Sequence, residues 1–447
     1  MAVAAARAGL MNDRERTLEP TEAPAVGEVA VEVAHQSRRS LRRIQIATLL
    51  GVLGPGLIAG LSDDDPAGIT TYSVLGAKYG YQMLWVLSIS TVALVLFQSL
   101  GARIGVVTGQ GLAGLIRQKF GAWSAVVAIL ALLLANIGTT AAEFAGIAAG
   151  FELFGISRHF SVPVTAVLVS MLVLRGGFKG IERILLVLSA IFICYVAAGV
   201  LAHPDWGAAF KGLIVPSMPL TRDAVVLATA TLGTTLAPWG LAFIQSYAVD
   251  KRLTTKSLPY LRIDVITGAL LTGVIGFFVV VSCAATLHAK GLSINDAADA
   301  AAALEPLAGT LAKDLFAIGL IGAALLAASI LPLSTAYSVS DLTGSPAALD
   351  DDLRSAPLFY GTFALVTVAG VALVLIPGAP LVAILVLTQV LNAVLLLPLL
   401  WFMYGIARDP DLMGEYAAGR GIASAYLVAM AIIAVCVLSL GALSVRA

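Results

Sequence analysis

From residue 46 onward the chain is a succession of long apolar runs separated by short polar segments. A helix needs roughly 20 mainly apolar residues to cross a bilayer. The pattern predicts eleven such spans, near 46–76, 82–105, 122–150, 160–175, 181–202, 223–248, 263–287, 310–337, 357–377, 380–406 and 422–443. The strands of a membrane barrel would instead alternate over about ten residues. The expected fold class is therefore an all-α polytopic membrane protein. Residues 1–43 are polar, with Glu, Pro and Arg scattered through them. They predict a disordered cytoplasmic tail rather than a signal peptide, which would carry an apolar stretch before a cleavage site.

Composition narrows the function. Of 447 residues, 59% are hydrophobic and 12% are charged. A soluble domain is near half apolar and about a quarter charged. A soluble enzyme, a nucleic-acid binder and a disordered scaffold are set aside on that ground. Net charge is zero, so no bulk field selects a partner. The distribution of charge says more. A basic cluster, Arg38, Arg39, Arg42 and Arg43, precedes the first span, and most remaining Lys and Arg fall on every second loop. Arg158, Lys211, Arg222, Lys290, Lys313 and Arg446 fall on the other side. By the positive-inside rule the N-terminus is expected in the cytoplasm and the C-terminus outside. Cys194, Cys283 and Cys436 sit singly in apolar runs and read as small buried hydrophobes.

A charge at the bilayer centre costs at least ~2.5–3.5 kcal/mol on insertion scales, so it marks a cavity with a partner. The first span contains Ser62-Asp63-Asp64-Asp65-Pro66-Ala67-Gly68. Pro66 removes a backbone donor and clashes with the preceding turn. A helix broken there exposes carbonyls beside carboxylates, which lipid tolerates only where backbone lines a cavity. Successive aspartates point about 100° apart, so they do not share one target. Asp65, next to the break, is expected to face the site; the other possibility is a surface loop over 63–65. The sixth span has a matching interruption, Gly233-Thr234-Thr235-Leu236-Ala237-Pro238-Trp239-Gly240. Two interrupted spans, five helices apart, point to inverted repeats with a midplane site. Repeat one would cover about 44–202, repeat two about 220–406, with an extra helix at about 422–443, all within a transporter domain of 44–445. The oxygen-rich, anionic character suits a hard cation such as Mg²⁺ or Mn²⁺. Glu143, Gln389 and Asn392 are further intramembrane polar candidates, for the site or for helix packing.

At these residues the chain resembles the NRAMP family of divalent metal transporters. Gly54-Pro55-Gly56, eight residues, then Asp65-Pro66 is similar to the family's GPG…DPGN pattern. So are Gly76-Ala77-Lys78-Tyr79-Gly80-Tyr81, Gln98-Ser99-Leu100, Ala102-Arg103, Gly105-Val106-Val107-Thr108-Gly109, Ala142-Glu143-Phe144 and Thr388-Gln389-Val390-Leu391. The resemblance implies a LeuT-like fold with broken helices 1 and 6. It implies Asp65 as the charged metal ligand, main-chain carbonyls at Ser62 and Thr234, and Gln389 closing the site. Asp64 is added as a ligand or supporting group on its own position. Pro66, Gly68, Ala237, Pro238 and Trp239 would line the site. The departures fall on functional positions. Gly68 replaces the family's DPGN asparagine. Ala237 and Trp239 replace the methionine and histidine of its sixth-span motif. Thr140 replaces a third-span aspartate tied to proton movement, leaving Glu143.

These changes agree with one another. Without the thioether the preference for softer metals goes, and Mg²⁺, which dehydrates reluctantly, gains from a wider carboxylate site. The pattern resembles the NRAMP-related magnesium branch. The expected function is a secondary transporter, not an enzyme, moving a divalent cation into the cytoplasm by alternating access with weak or no proton coupling. Its partners would be that cation, as substrate, and the bilayer of the cytoplasmic membrane; no cofactor and no nucleic acid are expected. Proton-coupled Mn²⁺/Fe²⁺ symport, carriage of an amino acid or organic cation on the same fold, and a channel or sensor remain open at this stage.

Overall fold

The computed structural model describes residues 64–175, 193–294, 297–301, 309–345 and 354–445. The expected tail, the first span up to Ser62 and Asp63, most of the fifth span and the acidic segment Asp350-Asp351-Asp352 lie outside the described residues. All described residues belong to one compact unit, Val52–Ala447.

Among the described residues every regular element is helical. In chain order the principal helices are α1 (Pro66–Tyr79), α2 (Leu84–Thr108), α3 (Leu112–Phe120), α4 (Ala122–Leu153) and α5 (Arg158–Arg175). Then come α6 (Ile193–Leu201), α7 (Trp206–Ile214), α8 (Arg222–Thr235), α9 (Pro238–Asp250) and α10 (Leu258–Thr286). The set closes with α11 (Ala312–Thr343), α12 (Pro357–Val374), α13 (Leu381–Ala407) and α14 (Arg420–Val445). Eight helical stretches among the described residues are long and apolar enough to cross a membrane, with α8 and α9 counted as one. They coincide with the second, third and sixth to eleventh of the expected spans. The fourth, at Arg158–Leu174, is shorter.

The helices differ in how much of their surface meets protein. In the α8–α9 stretch 94% of the apolar window is buried, against 22% in α14. The broken span is therefore central and α14 peripheral. Because lipid is as apolar as leucine, helices in a membrane associate through close packing rather than hydrophobic exclusion. Small residues mark where this occurs. Gly101 and Gly105, one turn apart on α2, face the backbone of α9. A Cβ at Gly105 would lie 2.6 Å from the Gln245 carbonyl oxygen. Gly146 of α4 has the ring of Pro66 against it, which seats the start of α1 on α4. Gly233 of α8 meets the Gln389 carbonyl of α13 so closely that any side chain there would displace one helix.

Candidate cation site at two helix breaks

Both breaks end in the same local device. A proline tolerates the first turn of a helix, where its missing N–H would be unpaired in any case. Pro66 opens α1 and Pro238 opens α9. The same proline denies a donor to the carbonyl four residues earlier. That residue is Thr234 at the second break, and by sequence spacing Ser62 at the first, which lies outside the described residues. α8 stops at Thr235, and only Leu236 and Ala237 separate it from α9. The interruption expected inside 233–240 is thus located to two residues.

The caps divide the chemistry. Asp65 is the N-cap of α1, with extended backbone, and its Oδ1 accepts a 2.5 Å hydrogen bond from the Gly68 N–H. A carboxylate there is favoured by the free N–H groups and the positive end of the helix dipole. Ala237, the N-cap of α9, offers no side-chain bond. Asp64 is fully buried, and neither carboxylate oxygen has a hydrogen-bond partner among the described residues. Leaving such a group unpaired is expensive, and an ion is one of the few things that explains it.

Glu143 on α4 is buried beside Asp65, each carboxyl group acting on the other. Neither Glu143 oxygen has a hydrogen-bond partner among the described residues, and two neighbouring acidic groups repel when both are charged, which a proton or a cation relieves. Asn392 on α13 donates 3.0 Å hydrogen bonds to Gln389 Oε1 and to Thr139 Oγ1 of α4. Gln389 Nε2 is left without a partner among the described residues. Thr140, in contrast, packs its methyl group toward Gly370 of α12. Thr234 is buried, its hydroxyl without a hydrogen-bond partner among the described residues, directly after the Gly233 contact with α13. Trp239, a large fully buried side chain, fills the start of α9, and its carbonyl accepts from Ser334 Oγ of α11 at 2.9 Å. Among the described residues no group of three or more His, Cys, Asp and Glu is arranged to hold a metal.

The sequence reading missed two contacts. Tyr72 of α1 and Thr235 at the end of α8 are 2.9 Å apart through their hydroxyls, joining the two broken spans. Asn136 of α4 donates a 2.6 Å bond to Thr335 Oγ1 of α11. A signal for the second was present. Asn136, Thr139, Thr140 and Glu143 stand at i, i+3, i+4 and i+7, one polar stripe on an otherwise apolar helix.

A buried helix break at Leu236–Ala237, packed in a helical membrane chain against a half-helix that opens on Pro66, belongs to a transporter of the LeuT fold rather than to an enzyme. Solved structures agree on the fold. A manganese transporter from Eremococcus coleocola superposes with a TM-score of 0.70 at 20% identity, over 88% of this chain and 85% of that one. MhsT in complex with L-phenylalanine superposes with a TM-score of 0.61 at 16% identity, over 89% and 98%. The family is set by sequence. Residues 56–443 match the model described as natural resistance-associated macrophage protein-like, and the chain belongs to that family. Among its relatives, the divalent metal cation transporter MntH of Pectobacterium carotovorum is 30% identical over 87% of this chain and 92% of its own length. MntH of Bacillus subtilis is 29% identical, over 86% and 91%.

Proposed function

We propose that the protein carries a divalent metal cation into the cytoplasm by alternating access, with Asp65 as principal charged ligand. The observation that carries this is the pair of buried carboxylates at the first break. Asp64 is without a partner among the described residues, and Asp65 stands beside Glu143. The Thr234 carbonyl, denied a helical donor by Pro238, is the matching oxygen at the second break, and Ser62 is its counterpart at the first. The names of the relatives support a divalent metal as cargo. Mg²⁺ is the favoured ion and Mn²⁺ the second. Ala237 gives no thioether to a softer metal, and few fixed ligands suit an ion that keeps several waters. The chain would cross the cytoplasmic membrane many times, N-terminus inside and C-terminus outside, and downhill entry would draw about 2.3 kcal/mol per charge per 100 mV. A cavity of about 660 Å³, lined by Thr70 of α1, Leu385 of α13, Arg158 and Lys313, gives an approach from the proposed outer side.

The alternative is proton-coupled Mn²⁺ uptake. The specific observation in its favour is that Glu143 is buried near Asp65 with neither oxygen partnered among the described residues, which makes it a candidate proton carrier. Uptake into proteoliposomes with Mg²⁺ and Mn²⁺ in competition, with internal pH followed in parallel, separates the two. The expected result is Mg²⁺ entry without acidification. Metal-dependent acidification with Mn²⁺ preferred would replace the proposal with the alternative.

A further inference from the structure

α2, α10 and α14 enclose a cavity of about 300 Å³ that lies outside the cation site. Its polar end is set by helix termini. Arg103 is in the next-to-last turn of α2, Arg262 in the second turn of α10, and Tyr426 in the second turn of α14. Its other end is apolar. Val95 and Leu96 on α2 lie roughly 12 Å from Arg103 along the helix, at about 1.5 Å per residue. Val265 and Ile266 continue α10 in the same sense.

Two arginines share this cleft without a counter-charge. Among the described residues no acidic side chain lines it, and neither Arg103 nor Arg262 is in an ion pair. Arg103 Nη2 donates to the Tyr426 hydroxyl at 3.4 Å, while its Nε is buried without a partner among the described residues. Charge at the helix ends and apolar walls deeper along the helices is the layout of one phospholipid lying beside a protein. Arginine grips phosphate through parallel donors.

We propose that this cleft binds an anionic phospholipid of the inner leaflet. Arg103 and Arg262 hold its phosphate, Tyr426 orients Arg103, and an acyl chain runs along Val95, Leu96, Val265 and Ile266. The lipid joins α14 to helices of both halves of the transporter, at the helix with the least protein around it.

The full-length protein is placed in nanodiscs of phosphatidylcholine and phosphatidylglycerol in equal amounts, and retained lipid is counted by native mass spectrometry after detergent stripping. The wild type is expected to retain phosphatidylglycerol preferentially. Arg262→Gln, on an exposed side chain, is expected to reduce that preference roughly fivefold, and Arg103→Gln with Arg262→Gln roughly thirtyfold, at the usual strength of basic residues near an anionic surface. Arg420→Gln, a basic residue at the start of α14 outside the cleft, is expected to retain the preference. Equal retention of both lipids by the wild type overturns the proposal. So does a loss below about twofold in Arg262→Gln, or an equal loss in Arg420→Gln, which would make the effect one of bulk surface charge.

Discussion

The two half-helices begin alike and differ in chemistry. Each opens on a proline, and at the second break Pro238 leaves the Thr234 carbonyl without a helical donor. Two buried carboxylates precede α1, whereas Leu236 and Ala237 precede α9. The helix start is thus duplicated while charge is kept on one side. A second set of carboxylates would add like-charge repulsion in a medium where that is most costly. The second break offers the Thr234 carbonyl, left without a helical donor by Pro238, and no charge.

The largest expected effect separates the breaks directly. Asp65→Asn removes charge from the proposed site, and losing one partner of a buried charged contact costs about 2–5 kcal/mol. Cation uptake into proteoliposomes should fall on the order of 10²-fold or more, while Ala237→Ser stays within a few-fold of wild type. Equal losses would break the division of labour. Next comes the contact that holds the second break in place. Gly233→Ala forces a methyl group against the Gln389 carbonyl, and overpacking of this kind costs about 1–3 kcal/mol. A lowered thermal unfolding midpoint of the purified protein is the readout. Ala237→Met tests the chemistry of the neutral break. A thioether beside Thr234 should move competition several-fold toward Mn²⁺ over Mg²⁺; an unchanged ratio would remove Ala237 from any account of selectivity.

The smallest effect lies away from both breaks. Lys119 at the end of α3 pairs with Asp409, and its ammonium holds that carboxyl below the usual carboxylate range. A depressed folded-state value means the pair stabilises fully above the unfolded value of about 3.9 and is lost as pH falls through the folded one. Thermal stability measured from pH 6 to pH 3 should fall on the acid side, and Lys119→Gln should remove that share. Uptake at neutral pH should not change.

How much could be read from the sequence follows from the same contrast. Apolar runs and prolines are written locally, so the eight described spans and the second break were legible. Contacts between distant segments were not. Tyr72 and Thr235 are separated by 163 positions and have no shared spacing to announce them. Thr140 was visible only as the residue in place of an aspartate, and the packing of its methyl group toward Gly370 of α12 had no local signal. The stripe on α4 was visible as a pattern, but which helix each polar group meets depends on packing that no local rule contains.

That stripe also has a consequence for how the protein is made. Asn136 and Thr139 find their partners on Thr335 and Asn392, which follow 199 and 253 positions later. At about 5–20 residues per second of synthesis, α4 waits roughly 10–50 s before those partners leave the ribosome. During that interval its amide, hydroxyls and carboxyl group must be sheltered by the insertion machinery or by the helices already made. Assembly of this transporter is therefore paced from its C-terminal half.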